Sequence, residues 1–293
     1  MFGRHYRTLT ALSPIEQVLT TPDGTTLYVE RFPPPEGQAR GVLVVLHGFS
    51  IHSGFYRDAA GAFARAGLDV TLFDCRGHGR SGGRRGHVRR FSDFQDDLHL
   101  VTEAARAAVP GVPVALLGHS HGATIALDYV LAQRSRIDAL MLAAPWLALK
   151  LKVPLSKRAL ARAVGTVWPT FAHNNLLRAS ESARDPAAQA RLTQDPLVHH
   201  VATPRWFNEV RSAQAHILDR ATTLQVPTFM AVSGEDRIVS SDASLAFARA
   251  AGRIVDVRVY EQAFHELFLE PNWPDIVEDF ASWLVARLPA PYT

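Results

Sequence analysis

Cysteine is almost absent from the chain, which has one, Cys75, among 293 residues. A single thiol cannot form an intramolecular disulfide, so a hydrophobic core must stabilise the fold, and the composition fits a reducing compartment. The sequence also has no apolar run of membrane-spanning length, and residues 1–17 lack the uninterrupted apolar stretch of a signal peptide. These absences predict a globular protein located in the cytoplasm.

A strong charge of either sign is also lacking, since 31 Lys and Arg residues against 28 Asp and Glu residues give a formal charge of +3. The basic residues Arg84, Arg85, Arg89 and Arg90 lie close together, where they could meet phosphate-bearing head groups or form a solvated loop. They have no interleaved aromatic residues and no accompanying nucleic-acid-binding module. We therefore expect no nucleic-acid partner.

Apolar runs of strand length alternate with amphipathic helical patterns along most of the chain. Strands are predicted at Val42–Leu46, Val70–Phe73, Val114–Leu117, Leu140–Leu142, Thr228–Val232 and Ile254–Val259. Helices are predicted at 57–66, 92–108, 121–132, 241–250 and 274–288, and an edge hairpin at 16–32. This alternation is typical of an α/β fold with a mostly parallel central sheet flanked by helices on both faces.

Residues 146–223 break this alternation, because they show helical stretches interrupted by prolines and no convincing strand. We predict a helical cap inserted over 146–223 between two core segments, 1–145 and 224–293, at the sheet edge where α/β proteins bind ligands. The segment is more apolar than a surface insertion needs, so it could wall a lipophilic site or make transient contact with a membrane surface. Its candidate substrate-binding residues are Trp146, Leu147, Trp168 and Phe171.

The residues at 118–122 read Gly-His-Ser-His-Gly, between a predicted strand and a predicted helix. A nucleophile on such a strand-to-helix turn has a strained backbone, and small residues two before and two after it avoid clashes. Ser120 is therefore the candidate nucleophile. Its hydroxyl needs a base to accept the proton and a carboxylate to orient that base.

The base and the acid must come from the same edge of the sheet. Of the thirteen histidines, His265 follows the last predicted strand and precedes the last helix, which is where this fold supplies its base. Asp236 follows the strand Thr228–Val232 and is the preferred acid, ahead of its neighbour Glu235 and of Asp256 within a predicted strand. The predicted triad is Ser120, His265 and Asp236.

Two backbone N–H groups are the candidate oxyanion donors. One belongs to His121, directly after the nucleophile, and the other to Phe49 in the loop that follows the strand Val42–Leu46. We expect the side chain of His47 in that loop to form local hydrogen bonds, and those of His119 and His121 to pack or line the pocket.

No cofactor is expected. The glycine-rich stretch 74–81 lacks the lysine of a P-loop and the glycine spacing of a dinucleotide-binding loop. His199 and His200 have no cysteine or carboxylate at metal-ligand spacing, so we expect a solvent-facing pair and no metal.

Together, the nucleophile turn and four further motifs resemble the monoacylglycerol lipase and lysophospholipase branch of the α/β-hydrolases. The motifs are HGF at 47–49, DCRGHGRS at 74–81, GEDRIV at 234–239 and FHELFLE at 264–270. The resemblance runs from about residue 14 to 287 and implies the same triad and the same oxyanion donors, Phe49 and His121. His121-Gly122-Ala123 departs from the Met-Gly-Gly that is more frequent in the family.

Three functions remain open at this point. The first is a serine hydrolase that cleaves lipophilic carboxylic esters of the monoacylglycerol or lysophospholipid type. The second is an aminopeptidase of the same fold, which would need an acidic anchor for the substrate amine, such as Glu181, Asp185 or Glu209. The third is a binding protein that captures a small ligand without turnover.

Overall fold

An eight-stranded sheet in the order β1-β2-β4-β3-β5-β6-β9-β10 forms the centre of the protein. The computed structural model describes residues 12–150, 164, 167–175 and 177–288. The strands within these residues are β1 (Ile15–Thr20), β2 (Thr26–Phe32), β3 (Gly41–Leu46), β4 (Leu68–Phe73), β5 (Val114–His119), β6 (Ala139–Ala143), β7 (His173–Asn174), β8 (Val201–Ala202), β9 (Thr228–Ser233) and β10 (Val255–Tyr260). The pairs β1–β2 and β2–β4 are antiparallel and the rest of the large sheet is parallel.

Helices cover both faces of the sheet. The α-helices within the described residues are α1 (Arg57–Arg65), α2 (Ser92–Ala108), α3 (His121–Leu131), α4 (Ala179–Ser182), α5 (Pro186–Gln194), α6 (Pro204–Asp219), α7 (Ser241–Ala251) and α8 (Trp273–Val285). Short 3-10 turns occur at Ser53–Tyr56, Ala221–Thr223, Gly252–Ile254 and Leu267–Leu269. In the part of the chain that is described, no helix is both long enough and apolar enough to cross a lipid bilayer.

The alternation of side chains along β3 divides the hydrophobic core in two. Val42, Val44 and Leu46 belong to the core cluster under α2, α3 and α6, whereas Leu43 and Val45 belong to the cluster under α1 and α8. Because successive side chains of a strand point to opposite faces, a strand buried on both faces must be apolar throughout. This explains the continuous apolar runs in the sequence.

The predicted α/β class and the mostly parallel sheet are confirmed, with small shifts in the strand ends. The strand predicted from Ile254 begins one residue later, because Gly252–Ile254 forms a 3-10 turn that starts at a glycine with φ of 78°. The strand predicted from Val70 begins at Leu68. A parallel sheet places the carboxyl ends of β3, β5, β9 and β10 along one edge.

The chain between β6 and β9 contains α4, α5 and α6 and a separate two-stranded antiparallel pair, β7–β8. The expectation of no strand in this segment missed the pair, because strands of two residues are too short to show a period. Residues 151–163, 165–166 and 176 of this segment lie outside the described part. The boundaries of a cap at 146 and 223 stay a prediction.

Candidate active site

The turn between β5 and α3 holds Ser120 in a strained conformation, with φ of 51° and ψ of −112°. The glycines on either side are needed for close contacts. A Cβ on Gly118 would lie 2.5 Å from the Cα of Ala123, and one on Gly122 would lie 2.5 Å from the carbonyl oxygen of Leu46. The turn therefore fits against its own helix and against the end of β3 only with glycine at both positions.

Three side chains from different strand ends form a continuous hydrogen-bonded chain. The hydroxyl of Ser120 donates to His265 Nε2 at 2.8 Å, and His265 Nδ1 donates to Asp236 Oδ2 at 2.7 Å. All three residues are buried. Burial lowers the pKa of His265, but the charge of Asp236 and its hydrogen bond outweigh burial, so the pKa is raised above its usual value.

The backbone after β9 holds the carboxylate of Asp236 in place. Its Oδ1 accepts hydrogen bonds from the backbone N–H groups of Ile238 and Val239, both at 2.8 Å. Burial opposes ionisation, but the charge of His265 and these hydrogen bonds keep the pKa of Asp236 below its usual value. The carboxylate is therefore ionised and correctly oriented to fix the tautomer of the imidazole.

The predicted oxyanion donors belong to two backbone segments next to Ser120. His121 is the first residue of α3, and Phe49 lies in the loop after β3. That loop approaches the nucleophile closely, since a Cβ on Gly48 would lie 3.5 Å from the Cβ of Ser120. No hydrogen bond between described residues uses the N–H of Phe49 or of His121. Both N–H groups are therefore available to a substrate oxygen.

Buried imidazoles surround the ring of Phe49, whose centroid lies within 5.9 Å of the ring centroids of His78, His121 and His199. The same ring stacks on Trp206 at 3.7 Å. Burial lowers the pKa of all three histidines, to about 3 for His121 and to about 4 for His199. The oxyanion loop is therefore backed by neutral rings.

His199 does not form a solvent-facing pair with His200. It is buried against Phe49 and His78, while His200 is exposed and lines the cavity described below. The expectation was wrong for His199 because its backbone N–H is bonded to the carbonyl of Ser50, which brings the residue beneath the oxyanion loop.

His47 forms the local hydrogen bonds expected of it. The backbone N–H of Cys75 donates to His47 Nε2 at 2.9 Å, so the proton of this neutral ring is on Nδ1, which donates to the carbonyl of Gly48 at 2.7 Å. Burial lowers the pKa of His47 and keeps the ring neutral. The ring therefore braces the first residues of the oxyanion loop.

Within the described residues, one cluster has the composition of a metal site. His119, His265 and Glu266 each offer a ligand atom within 4.8 Å of the others. However, His265 uses both ring nitrogens in the chain with Ser120 and Asp236, and His119 Nε2 is bonded to the carbonyl of His265 at 3.0 Å. Three nitrogens are thus already engaged, and the arrangement fits a hydrogen-bonded support better than a zinc site.

A cavity of about 910 Å³ opens onto Ser120 and His265. Most of its lining is apolar. Representative apolar lining residues are Ile51, Leu149, Leu177, Leu192, Phe207 and Ile238. A cavity of this size and character is suited to a lipophilic small molecule.

The four candidate substrate-binding residues have different locations. Trp146 lines the cavity, whereas Leu147 is fully buried behind it. Trp168 and Phe171 do not line the cavity and are 65% and 48% exposed. Their rings pack on each other at 5.8 Å, on the outer surface of the protein. The structure therefore brings only Trp146 into contact with the cavity.

The segment between β6 and β9 is bonded to both loops that flank the nucleophile. Ser50 accepts a backbone bond from His199 at 3.0 Å and a side-chain bond from Asn175 at 2.6 Å. On the other side, the N–H of Glu266 donates to the carbonyl of Ser182 at 2.8 Å. Arg184 pairs with the buried carboxylate of Glu270 at 2.7 Å. Sequence reasoning missed these contacts, because the spacing of residues in an irregular segment does not reveal their partners.

A mostly parallel sheet with helices on both faces, and a Ser-His-Asp chain at its carboxyl edge, defines the α/β-hydrolase class. The family profile described as serine aminopeptidase, S33, matches residues 37–272. Because this match covers most of the sequence, the chain belongs to that family.

The resemblance to monoacylglycerol lipases is also confirmed. The chain is 33% identical over 256 residues to a monoacylglycerol lipase of Mycolicibacterium smegmatis, covering 87% of this chain and 91% of the relative. It is 27% identical to the phospholipase YtpA of Bacillus subtilis, over 80% of this chain and 91% of the relative. The crystal structure of a Paleococcus ferrophilus monoacylglycerol lipase superimposes with a TM-score of 0.81 at 28% identity, covering 89% of this chain and 99% of that one.

Proposed function

We propose that this protein hydrolyses carboxylic esters of lipophilic substrates, of the monoacylglycerol or lysophospholipid type, through an acyl-enzyme. One observation carries the proposal. The hydrogen-bonded chain from Ser120 through His265 to Asp236 opens directly into a large and mostly apolar cavity. The relatives named as monoacylglycerol lipases and a phospholipase support the same class of substrate.

The geometry of the triad supplies each proton transfer of this reaction. As Ser120 Oγ attacks the ester carbonyl, His265 Nε2 accepts its proton, and Asp236 stabilises the imidazolium that forms. The imidazolium then protonates the leaving alcohol, and the acyl group stays on Ser120. Water attacks the acyl-enzyme with His265 again as the base, which releases the fatty acid and restores the hydroxyl.

The backbone N–H groups of Phe49 and His121 stabilise the negative charge on the carbonyl oxygen in both steps. Each such donor lowers the barrier by about 2.7–4 kcal/mol. The rings of His78, His121 and His199 around Phe49 are neutral, so the backbone dipoles supply the stabilisation. The lipophilic acyl chain occupies the apolar part of the cavity.

Aminopeptidase activity is the second candidate, because the family profile has that description. A substrate amine would need an acidic anchor in the cavity. Glu181, Asp185 and Glu209 do not line it, and Glu209 instead accepts the backbone N–H of Phe91. Glu266 is the acidic residue among the described lining residues, and it lies beside His265. These positions favour an ester over a peptide.

Residues 146–223 form the cap of this enzyme over the core segments 1–145 and 224–293. Its outer surface carries Val167, Trp168 and Phe171, which are among the most exposed large apolar residues of the described chain. Arg84 lies beside them, since its guanidinium donates to the carbonyl of Thr170. Exposed aromatic rings next to a cation suit transient contact with an anionic membrane surface.

Labelling with a fluorophosphonate probe, together with a substrate panel, tests the proposed activity. We expect the probe to label the wild-type protein and the Ser180→Ala variant, which changes a second serine of the cavity lining, but not Ser120→Ala. The panel contains monoacylglycerols, lysophospholipids and aminoacyl arylamides. Absence of labelling in the wild type would overturn the proposed hydrolase activity. Turnover of arylamides but not of esters would show that the protein is an aminopeptidase instead.

A further inference from the structure

Glu266 is a buried acid that the proposed chemistry leaves without a role. It follows His265 directly, is 5% exposed, and its side chain lines the cavity beside the triad. Its carboxyl group accepts no hydrogen bond from another described residue. Its one ion-pair contact among the described residues is with His119, with Oε2 3.6 Å from His119 Nδ1. A buried carboxyl group without compensating bonds is costly, so its position needs an explanation.

His119 links this carboxyl group to the backbone of the catalytic base. Its Nε2 lies 3.0 Å from the carbonyl oxygen of His265. A carbonyl oxygen only accepts, so Nε2 carries the proton, and in a neutral ring Nδ1 is then an acceptor. Burial lowers the pKa of His119 to about 3, which keeps the ring neutral. The lone pair of Nδ1 is therefore presented to Glu266.

The ring of His119 has little freedom to move. Its Nδ1 lies only 2.9 Å from where a Cβ on Gly48 would be, and its ring centroid is 4.9 Å from that of His265. Nδ1 is buried and has no hydrogen-bond partner among the described residues. A protonated carboxyl group on Glu266 would supply the donor that this atom lacks once the 3.6 Å separation closed to hydrogen-bond distance.

We propose that Glu266 and His119 form a second acid–imidazole pair, which holds the backbone carbonyl of His265 and positions the catalytic base. The pair runs from the Glu266 carboxyl to His119 Nδ1, and from His119 Nε2 to the carbonyl oxygen of His265. Neither residue contacts the substrate carbonyl, so both are positioning residues. The inference rests on the proposed function, because it assigns His265 as the base.

Burial favours the protonated form of Glu266 that this arrangement requires. The groups that face it are His119 at the end of β5, Tyr56 in the first 3-10 turn, and His265 and Asp236 of the triad. Burial raises the pKa of Glu266 to about 7, against the opposing charge of His265 and with a smaller contribution from the Asp236 carboxylate. Tyr56 is a neutral phenol, because burial raises its pKa well above the usual value.

Ionised Glu266 also affects the base, since its negative charge raises the pKa of His265. Loss of this charge should make the imidazolium less stable. A glutamine at 266 retains an N–H donor for His119 Nδ1 but has no charge to offer the imidazolium. The Glu266→Gln variant therefore separates the positioning effect from the electrostatic one.

The experiment compares Glu266→Gln and Glu266→Leu with Glu261→Gln, which removes an exposed carboxylate after β10. Glu266→Leu should lower kcat for a soluble ester on the order of ten- to a hundred-fold with a smaller change in KM, because the base is displaced. Glu266→Gln should keep most of kcat but move the acidic limb of the kcat/KM profile to lower pH. Glu261→Gln should change neither.

A second pair of variants, at position 119, tests the same inference if a substitution at position 266 prevents folding. Glutamine at 119 can still donate to the carbonyl of His265, whereas leucine cannot, so His119→Gln should retain more kcat than His119→Leu. Thermal melting establishes that each variant is folded. Wild-type kcat in Glu266→Leu would overturn the positioning role, and an acidic limb in Glu266→Gln that coincides with the wild type would overturn the electrostatic effect on His265. Both comparisons require an active wild type. An inactive wild type would therefore contradict the proposed function, whereas the outcomes above concern only the roles of Glu266 and His119.

Discussion

Two regions place side chains around the same cavity: the carboxyl edge of the sheet and the segment at 146–223. They do so in different ways. At the edge, Ser120, Asp236 and His265 each follow a parallel strand of the same sheet, so the register of the sheet brings them together. The described part of the segment has helices of 4, 9 and 16 residues and two strands of two residues each, and several of its hydrogen bonds to the core come from loops. The sheet edge thus positions the catalytic side chains, and the irregular segment shapes the cavity around them.

The largest expected effect lies at the sheet edge. Asp236→Asn should lower kcat about 10⁴-fold, because an amide at this position favours the wrong tautomer of His265 while leaving the fold intact. Steady-state ester hydrolysis measures the loss. Glu235→Gln is the matched control, since it changes the exposed neighbouring carboxylate and should retain full activity. Equal losses in both variants would mean that Asp236 has no special role.

A second effect concerns the stability of the sheet edge in acid. Burial lowers the pKa of His121 to about 3, below the value of about 6.5 expected in the unfolded chain, so the unfolded chain binds more protons below pH 6.5. Stability from this residue is complete above about pH 6.5 and decreases as the pH falls. At pH 5 the loss from His121 is about 2 kcal/mol.

Replacing this imidazole should remove its share of the acid sensitivity. Between pH 7 and pH 5, the free energy of unfolding should fall by about 2 kcal/mol less in His121→Met than in the wild type. Urea denaturation at both values measures the difference. His200→Gln changes an exposed imidazole and should follow the wild-type curve. Parallel pH dependence in His121→Met and the wild type would contradict the prediction.

The smallest expected effect on chemistry lies on the outer surface of the segment. Trp168→Ala combined with Phe171→Ala should leave hydrolysis of a dissolved short-chain ester unchanged, because neither ring lines the cavity. Binding to anionic vesicles should fall several-fold, as measured by co-sedimentation. Val257→Ala removes an exposed apolar side chain from β10 and should not alter vesicle binding. Unchanged vesicle binding in the double variant would remove the proposed membrane contact.

The sequence was informative where regular structure controls geometry. Continuous apolar runs predicted the buried parallel strands, and the strand-end rule predicted that Ser120, Asp236 and His265 would meet, as their hydrogen bonds now show. Glu266 escaped notice although it adjoins His265, because adjacency in a loop does not tell which way a side chain points. For the same reason, the sequence did not reveal that Leu147, Trp168 and Phe171, expected to bind substrate, do not line the cavity.

Ser50 has a consequence for protein engineering. Its carbonyl accepts a hydrogen bond from the N–H of His199 and its hydroxyl accepts one from Asn175, so one residue of the core, with φ of 74°, contacts two distant residues of the inserted segment. A chimera that grafts the corresponding segment of a relative onto this scaffold would lose those partners unless they were transplanted with it. To change the specificity of this enzyme by exchanging the segment, the loop that contains Ser50 must therefore be exchanged together with it.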